Sequence, residues 1–470
     1  MRLLNTTTKE LEEFDETTVP SYGILSHTWE KSSEVLFHEI GLPGVESKKG
    51  YAKITRTCEL AASRGLEYIW VDTCCIDKRS SAELSEAVNS MFQYYLKSDI
   101  CFAYLADLDQ EVETQSGLSS CRWFTRGWTL QELIASPTIE FYDEKWNMRG
   151  TKASLEESLH RITGINKRVL RNSASITSIS VARKMSWAAS RQTTRSEDLA
   201  YCLLGIFDVN MPLLYGEGPK SFMRLQEEII KTTHDLSIFA WKAPSPEAQE
   251  FRGILARSPA EFASPPEQTD QNGNDASSAD LLGILHGEFS VTNKGVKIAL
   301  RLLCTDTYPG VYILPLADDR SVPWTSRSQT GIYIQKIGAD TFVRARPSSI
   351  YFSSIGLDCE MEKRAIYVVR DLAANMCSSV HNIRRSAIQF NVRGCVRIRQ
   401  IYPESLWDYH NKLLLVPDPN RFLGEVFLRK EEMLGTSTAP TISILFFFDG
   451  EKPIGYIQDN PSSDENGRFF

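Results

Sequence analysis

The first 150 residues alternate between short apolar runs and amphipathic segments, and this order constrains the fold more than any other feature of the sequence. Apolar runs at 22–25, 68–71, 101–105 and 138–142 have the length of strands, and the second is apolar without interruption. Between the first two runs, residues 50–64 carry apolar side chains at helical spacing. Strands that alternate with helices in this way predict a parallel sheet with helices on both faces.

The helix predicted after the second strand has a clear start and a clear apolar face. Ser80 and Glu83 have the spacing of a capping box. In such a box the serine side chain accepts a hydrogen bond from the backbone N–H of the glutamate, and the glutamate side chain accepts one from the backbone N–H of the serine. Residues 121–135 are predicted to form a further helix before the fourth strand. In the helix after Ser80, apolar residues recur at the spacing of one helical face, namely Leu84, Val88, Met91 and Tyr95.

Beyond residue 150 the pattern changes twice. Residues 151–245 are mostly helical in pattern. A linker or loop region is predicted at 246–282, where residues 264–280 are polar and rich in Pro, Gly and Ser. Residues 283–470 alternate with a period of two, with a hairpin signal at Asn293–Gly295. The predicted architecture is an α/β domain at 1–150, a helical extension, the linker and a C-terminal antiparallel β-sandwich-like domain.

The totals exclude several classes of protein. The chain has 42% hydrophobic and 24% charged residues, and its net charge of −8 offers no basic field for nucleic acid. The longest apolar run, Ile442–Phe448, is too short to span a bilayer, and the start of the chain lacks the apolar core of a signal peptide. The ten cysteines form no CxxC pair and no histidine lies at zinc-finger spacing, so no metal site is predicted. We therefore expect a cytoplasmic protein with no membrane span.

Three segments, in order and at matching spacing, resemble the heterokaryon-incompatibility (HET) domain family of fungi. They are Tyr22–Trp29 (YGILSHTW), Trp70–Lys78 (WVDTCCIDK) and Arg122–Ile134 (RWFTRGWTLQELI). Residues 195–207, followed by Tyr215–Gly218, are similar to a stretch that often follows this domain. The resemblance implies an effector of programmed cell death in fungal self/non-self recognition.

The HET family is also distantly similar to Toll/interleukin-receptor (TIR) domains. Residues Trp128–Leu133 resemble the TIR pattern Trp-Cys-x-x-Glu-Leu, with Thr129 where TIR domains usually have Cys. The glutamate of this pattern is the catalytic residue of TIR enzymes that cleave NAD. The resemblance thus implies a flavodoxin-like sheet, NAD as a substrate rather than a cofactor, Glu132 as the catalytic residue, and a homo-oligomer that forms on activation, with an upstream recognition protein as a further partner.

Glu132 suits this chemistry. Cleavage of the bond between nicotinamide and ribose builds positive charge on the sugar, and a nearby carboxylate stabilises that charge. Nicotinamide leaves as a neutral group, so that no second acid is needed. The alternative is that Glu132 is a surface glutamate on an aromatic-rich helix.

The candidate substrate-binding residues follow the first two strands, at the edge where open α/β sheets bind ligands. Asp72 and Asp77 are candidates for hydrogen bonds to ribose hydroxyls, although Asp72 is also suited to capping a turn and Asp77 to ordering its loop. After the first strand, Ser26, His27 and Trp29 are further substrate-binding candidates, with local packing as the alternative. Trp29 is a candidate for stacking on nicotinamide or adenine, and His27 for a base or donor.

The segment around Glu132 adds three candidates. Arg122 and Arg126 have the bidentate donors that bind a pyrophosphate, with surface ion pairing as the alternative. Trp128, four residues before Glu132, joins the substrate-binding residues.

Three functions remain open from the sequence. The first is an NAD nucleosidase, and the second is a non-enzymatic, oligomerising death-signalling scaffold. The third is a thiol hydrolase that uses Cys74 or Cys75. The enzyme hypothesis requires Glu132, Asp72 and Trp29 to line one accessible pocket.

Overall fold

The structure is a computed structural model. The chain forms two compact units. The first comprises Met1–Thr233 and Ala256–Leu281, and the second comprises His234–Leu255 and Leu282–Phe470. The division into four segments stays a prediction, and most of the expected linker at 246–282 lies outside the described residues. The structure describes residues 1–15, 17–30, 32–244, 249–264, 288–304, 310–318, 329–353, 364–373, 376–391, 396–408, 411–430, 441–449 and 452–459.

One sheet forms the centre of the described part of the first unit. Its strands are β1 Arg2–Asn5, β2 Leu11–Glu13, β3 Tyr22–His27, β4 Tyr68–Trp70, β5 Ile100–Tyr104, β6 Ile139–Tyr142 and β7 Met148–Thr151. Their spatial order is β2-β1-β4-β3-β5-β6-β7. The inner strands β4, β3, β5 and β6 are parallel, and the outer strands pair antiparallel. The parallel arrangement of the four predicted strands is confirmed, and the sheet as a whole is mixed.

Strands β1, β2 and β7, which the sequence analysis did not predict, extend this sheet at its edges. Leu3 and Leu4 of β1 have no exposed surface, because β1 pairs with β4 through Leu4 and Ile69. Only two apolar residues in a row mark β1, too few for a pattern of period two.

Along the chain, the helices of the first unit lie between the strands of this sheet and after its last strand. Of the four apolar residues of α1 predicted to share one face, Ile54, Cys58 and Ala61 are buried, whereas Ala62 is exposed. The helices are α1 Lys49–Ser63, α2 Ser81–Lys97, α3 Thr114–Leu118, α4 Thr129–Ala135, α5 Glu156–Thr163, α6 Lys167–Arg171, α7 Val181–Ser186, α8 Asp198–Tyr201, α9 Leu204–Phe207 and α10 Lys220–Thr232.

The single helix predicted over 121–135 is wrong. A short 3₁₀ helix covers Arg122–Thr125, and α4 begins only at Thr129. The chain is extended at Arg126 because the N–H of Gly127 donates to the carbonyl of Gln192 at 2.9 Å. This pairing with a distant segment interrupts the helix and sets where α4 starts.

The capping box predicted at Ser80 is half right. The Ser80 hydroxyl accepts a hydrogen bond from the N–H of Glu83 at 3.3 Å, so Ser80 caps α2. The Glu83 carboxylate, however, accepts from the N–H of Asp77 at 2.8 Å and pairs with Arg2. Glu83 therefore orders the loop between β4 and α2 instead of closing the box.

The second unit is built from β-sheets in its described residues. Almost all strand pairs are antiparallel, and the exception is the parallel pair of the strands at 341–345 and 364–368. The hairpin predicted at Asn293–Gly295 is confirmed, since β9 and β10 pair across it. Stacking of the sheets as a sandwich stays a prediction. The elements are β8 Phe251–Arg252, β9 Phe289–Thr292, β10 Gly295–Leu300, β11 Leu303–Cys304, β12 Val311–Asp318, β13 Gln329–Lys336, β14 Thr341–Ala345, β15 Tyr351–Ser353, β16 Arg364–Val368, α11 Cys377–Arg385, β17 Ile388–Gln389, β18 Val396–Tyr402, β19 Trp407–Asp408, β20 Leu413–Leu414, β21 Leu423–Lys430, β22 Thr441–Asp449 and β23 Lys452–Asp459.

These strands form three sheets, in the orders β11-β12-β13-β14-β16-β10-β9, β17-β20-β19 and β18-β21-β22-β23. A buried cluster that includes Trp407, Leu414 and Val426 lies against the last two. Within the described part of the chain, no helix is both long and apolar enough to cross a bilayer.

Candidate functional site

A cavity of about 310 Å³ lies where β3 and β4 end, at the carboxyl edge of the parallel strands. Its size is within the range of small-molecule sites. The walls come from the loops after β3 and β4, from α2, from α4 and the residues before it, and from residues between 194 and 215. The lining residues are His27, Trp29, Asp72, Ile76, Lys78, Leu84, Val88, Met91, Tyr95, Arg126, Trp128, Thr129, Glu132, Thr194, Arg195, Asp198 and Tyr215.

Glu132 lies in the first turn of α4, where every residue from Thr129 to Ala135 is buried. Its side chain is held by a chain of hydrogen bonds. The indole N–H of Trp123 donates to the Ser26 hydroxyl at 2.7 Å, and that hydroxyl donates to the Glu132 carboxylate. The alternative of a surface glutamate is wrong, because Glu132 is only 6% exposed.

The surroundings of Glu132 favour its neutral form. Burial raises the pKa of the carboxyl to about 8, and the negative charge of Asp72 contributes, against the opposing hydrogen bond from Ser26. The carboxyl therefore favours its protonated form at neutral pH. An acid of this kind responds strongly to a cationic group in the cavity.

Asp72 lies in the loop after β4, and its side chain connects this loop to the residues at the end of β3. Its carboxylate accepts a hydrogen bond from the indole N–H of Trp29 at 3.0 Å, and Nε2 of His27 lies 3.4 Å away. Burial by itself raises the pKa of Asp72, but Lys78, His27 and Trp29 together bring it below its ordinary value. The site thus pairs an ionised aspartate with a neutral glutamate, two carboxyl groups in different protonation states.

Two buried charged residues behind His27 were not predicted. Lys53 of α1 donates to Glu34 at 2.7 Å, and its Nζ lies 3.4 Å from Nδ1 of His27. An ammonium beside Nδ1 requires that nitrogen to be the acceptor, so Nε2 carries the proton towards Asp72. Sequence gave no signal for this pair, because Lys53 lies one residue from the apolar face of α1 and Glu34 lies in a loop.

Lys78, also not predicted, lies against Trp29. Its Nζ is 3.5 Å from the centre of the Trp29 ring, and burial lowers the pKa of the ammonium while Asp72 opposes that shift. Among the described residues, this buried Nζ has no hydrogen-bond partner. Trp29 itself is 44% exposed and forms part of the entrance.

Another wall of the cavity is formed by residues between 194 and 215, which lie more than 50 residues after the end of β6, the last parallel strand. The Tyr215 hydroxyl donates to Asp198 at 3.1 Å. Burial raises the pKa of Asp198, whereas Tyr215 and Trp128 oppose that shift. The guanidinium of Arg195 lies 4.4 Å from the centre of the Tyr215 ring. The only sequence signal here was the resemblance of 195–207 and 215–218 to a stretch that often follows the HET domain.

The structure brings most of the predicted site residues together. His27, Trp29, Asp72, Arg126, Trp128 and Glu132 line the cavity. Ser26 does not line it, because its side chain lies behind Glu132 with no exposed surface. Asp77 and Arg122 also lie outside the lining, where Asp77 pairs with Arg79 at 2.9 Å and Arg122 with Asp107 at 3.6 Å.

The cysteines after β4 do not have the features of a nucleophile. Cys74 and Cys75 are buried and neither lines the cavity. The hydrogen bond with Cys75, followed by burial, raises the pKa of Cys74 well above its ordinary value. A nucleophilic cysteine needs a lowered pKa and access, so the thiol-hydrolase alternative is wrong.

Fold and cavity together define an α/β domain whose parallel strands end at a cavity with a buried, protonated glutamate. Comparison with known proteins identifies its family. Residues 22–118 match the family model described as "Heterokaryon incompatibility protein (HET)". Residues 220–301 match a second model, a domain of unknown function (DUF8212). The chain therefore contains a heterokaryon incompatibility domain at residues 22–118.

A curated relative supports this assignment. Over 222 residues, 45% of this chain, the sequence is 45% identical to the Vegetative incompatibility protein HET-E-1 of Podospora anserina. The match covers 16% of that protein. No solved structure matches this chain.

Proposed function

We propose that this protein acts in fungal heterokaryon incompatibility as a cell-death effector, and that its cavity binds NAD and cleaves the bond between nicotinamide and ribose. The relative's name as a vegetative incompatibility protein supports the first part. The second part is carried by one observation, the buried Glu132 carboxyl in the wall of a cavity that also holds Asp72 and Trp29.

The charge states of the two carboxyl groups fit this reaction. The nicotinamide ring of NAD is cationic, and its approach favours ionisation of Glu132 in a site where water competes little for the charge. The proton of Glu132 passes to solvent, and the ionised carboxylate stabilises the positive charge that develops on the ribose as the bond to nitrogen breaks. Nicotinamide leaves as a neutral group with the electron pair of that bond. A water molecule then adds to the ribose carbon and returns a proton to Glu132. Asp72 is suited to accept hydrogen bonds from the ribose hydroxyls.

The sheet supports a TIR-like assignment. In order of appearance, β3, β4, β5 and β6 are the first to fourth parallel strands, and their spatial order is second, first, third, fourth. Flavodoxin-like sheets have this order, and their ligands bind at the carboxyl ends near the first strand. As in TIR enzymes, we expect activity to need self-association.

The test is NAD consumption by the purified chain at a concentration that favours assembly. We expect the wild type to release nicotinamide and Glu132→Gln to lose at least about a hundredfold in rate, the scale of removing one electrostatic stabiliser. Glu144→Gln, an exposed glutamate outside the lining, is the matched control and should keep the wild-type rate.

Two outcomes would count against the proposal. If neither the wild type nor the control consumes NAD when assembled, the non-enzymatic scaffold becomes the better account. If Glu132→Gln is folded and as active as the wild type, the catalytic role of Glu132 is overturned.

A further inference from the structure

Lys78 has an unmet need for hydrogen bonds. A lysine ammonium carries three N–H donors and no acceptor. Its Nζ is buried, yet within the described ranges no acceptor bonds it, and its one close contact is the face of Trp29 at 3.5 Å. A contact with an aromatic face offsets part of the cost of burying a cation but satisfies none of its donors.

The neighbouring acid does not supply the missing acceptor. Asp72 is engaged with the indole N–H of Trp29 and lies 3.4 Å from His27. Its charge acts on Lys78 only through space. The donors of Lys78 are therefore free for an acceptor that enters the cavity from solvent.

The basic groups of the cavity point to the chemistry of that acceptor. Lys78, Arg126 and Arg195 all line it, in a chain whose net charge is −8. They face two aspartates and Glu132, which is largely protonated at neutral pH. A cavity with this balance favours an anion, and guanidinium and ammonium groups together bind phosphate oxygens well.

We propose that the cavity takes a phosphorylated ligand and that Lys78 binds its phosphate oxygens, with Arg126 and Arg195 as the other cations of the subsite. The ligand then replaces the ring of Trp29 as the main partner of Nζ and frees that ring for stacking with a base. The inference rests on the proposed function in placing the ligand in the same cavity, and it assigns the pyrophosphate of a nucleotide substrate to the subsite of Lys78, Arg126 and Arg195.

The test measures binding without turnover. Inorganic pyrophosphate, ADP-ribose and adenosine are titrated by calorimetry into the full chain as wild type, Lys78→Met and Lys78→Arg. We expect Lys78→Met to weaken pyrophosphate and ADP-ribose by roughly 10- to 100-fold, the scale of one hydrogen bond to a charged group. Adenosine should bind equally to all three proteins, and Lys78→Arg should recover most of the affinity.

Lys145→Met is the matched control, because Lys145 is 61% exposed and does not line the cavity. Equal binding of pyrophosphate and ADP-ribose by wild type and folded Lys78→Met would overturn the inference, as would failure of the wild type to bind either one. If binding of pyrophosphate depends on Lys78 but ADP-ribose binds no more tightly than pyrophosphate, the inference that the ligand is a nucleotide is overturned. Binding that needs Lys78 in a chain that never cleaves NAD would support the inference while the proposed function fails.

Discussion

Glu132 is a carboxyl group placed where its charged form is disfavoured. Removal from water raises its pKa to about 8, and the charge of Asp72 adds to the effect. A fold that only needed a polar side chain here could use glutamine at less cost. An acid with a raised pKa at this position suits a role in which ionisation on ligand binding matters, as the proposed reaction requires.

The raised pKa of Glu132 predicts a pH dependence of stability. At pH 4 the carboxyl is protonated in both states, whereas between about pH 4.5 and 8 the unfolded chain releases the proton and the folded chain keeps it. Stability therefore falls as pH rises through that window. Glu132→Gln should remove this loss. The free energy of unfolding of the variant, relative to that of the wild type, should therefore rise by roughly 2–4 kcal/mol between pH 5 and pH 8.

Urea unfolding of both proteins at pH 5, 6.5 and 8 measures this difference, with Glu144→Gln as the control for loss of one carboxyl group. A constant difference between wild type and Glu132→Gln across the three pH values would mean that the carboxyl ionises normally in the folded chain.

Among individual site residues, the sequence correctly predicted those that lie at the end of a strand or just after it. Asp72, His27 and Trp29 were predictable because parallel strands bring their carboxyl ends to one edge. Lys78 was not, since nothing in its sequence neighbourhood says that its ammonium is buried without a partner. Asp198 and Tyr215 depend on contacts between segments far apart in sequence, which no local pattern records.

Among the elements, α2 has a double role that its sequence pattern does not reveal. The apolar face of Leu84, Val88, Met91 and Tyr95 has the spacing of an ordinary core helix. In the structure all four line the cavity. Periodicity identifies which face of a helix avoids water, but not whether that face packs on side chains or on a ligand.

The packing of α9 on α2 gives a prediction for this wall. A Cβ at Gly205 would lie 2.2 Å from Cβ of Phe92, an atom next to the α2 backbone that cannot move aside alone. Gly205→Ala should therefore push the helices apart and lower the free energy of unfolding by about 1–3 kcal/mol, despite the better helix propensity of alanine. Because Val88 and Met91 lie beside Phe92 on α2, ligand binding should weaken as well.

Urea unfolding and calorimetric binding of ADP-ribose measure the two effects. Gly338→Ala is the comparison, since the nearest atom to its added Cβ would be 3.5 Å away, an ordinary contact. Unchanged or increased stability of Gly205→Ala would show that α9 yields without disturbing α2.

Other elements show where local patterns end and tertiary contacts begin. The parallel strands were predictable because each is an apolar run bounded by polar residues. The helix at 121–135 was not placed correctly, because the bond from Gly127 to Gln192 competes with helix continuation. Gly127 also allows the close approach, since a Cβ there would lie 2.6 Å from Thr193.

Over the whole molecule, the cavity extends further along the chain than the matched family segment. The HET family model ends at residue 118, but Glu132 and the wall of Asp198 and Tyr215 lie beyond it. The segment after 150 is tied to the residues before α4, where Arg191 donates to the carbonyl of Arg126 at 2.7 Å. The lining of the cavity is therefore distributed along the chain from His27 to Tyr215.

This distribution predicts the pattern of amide hydrogen exchange when ligand binds. Added to the full chain, ADP-ribose should slow exchange in peptides that contain residues 26–29, 72–78, 129–135 and 194–215, because bound ligand raises the free energy of opening of the elements it contacts. Peptides from β21 and β22, which contribute no lining residue, serve as the internal reference. Protection confined to residues 22–118 would place the ligand on the family segment alone, and protection beyond it would make the wall of Asp198 and Tyr215 part of the binding site.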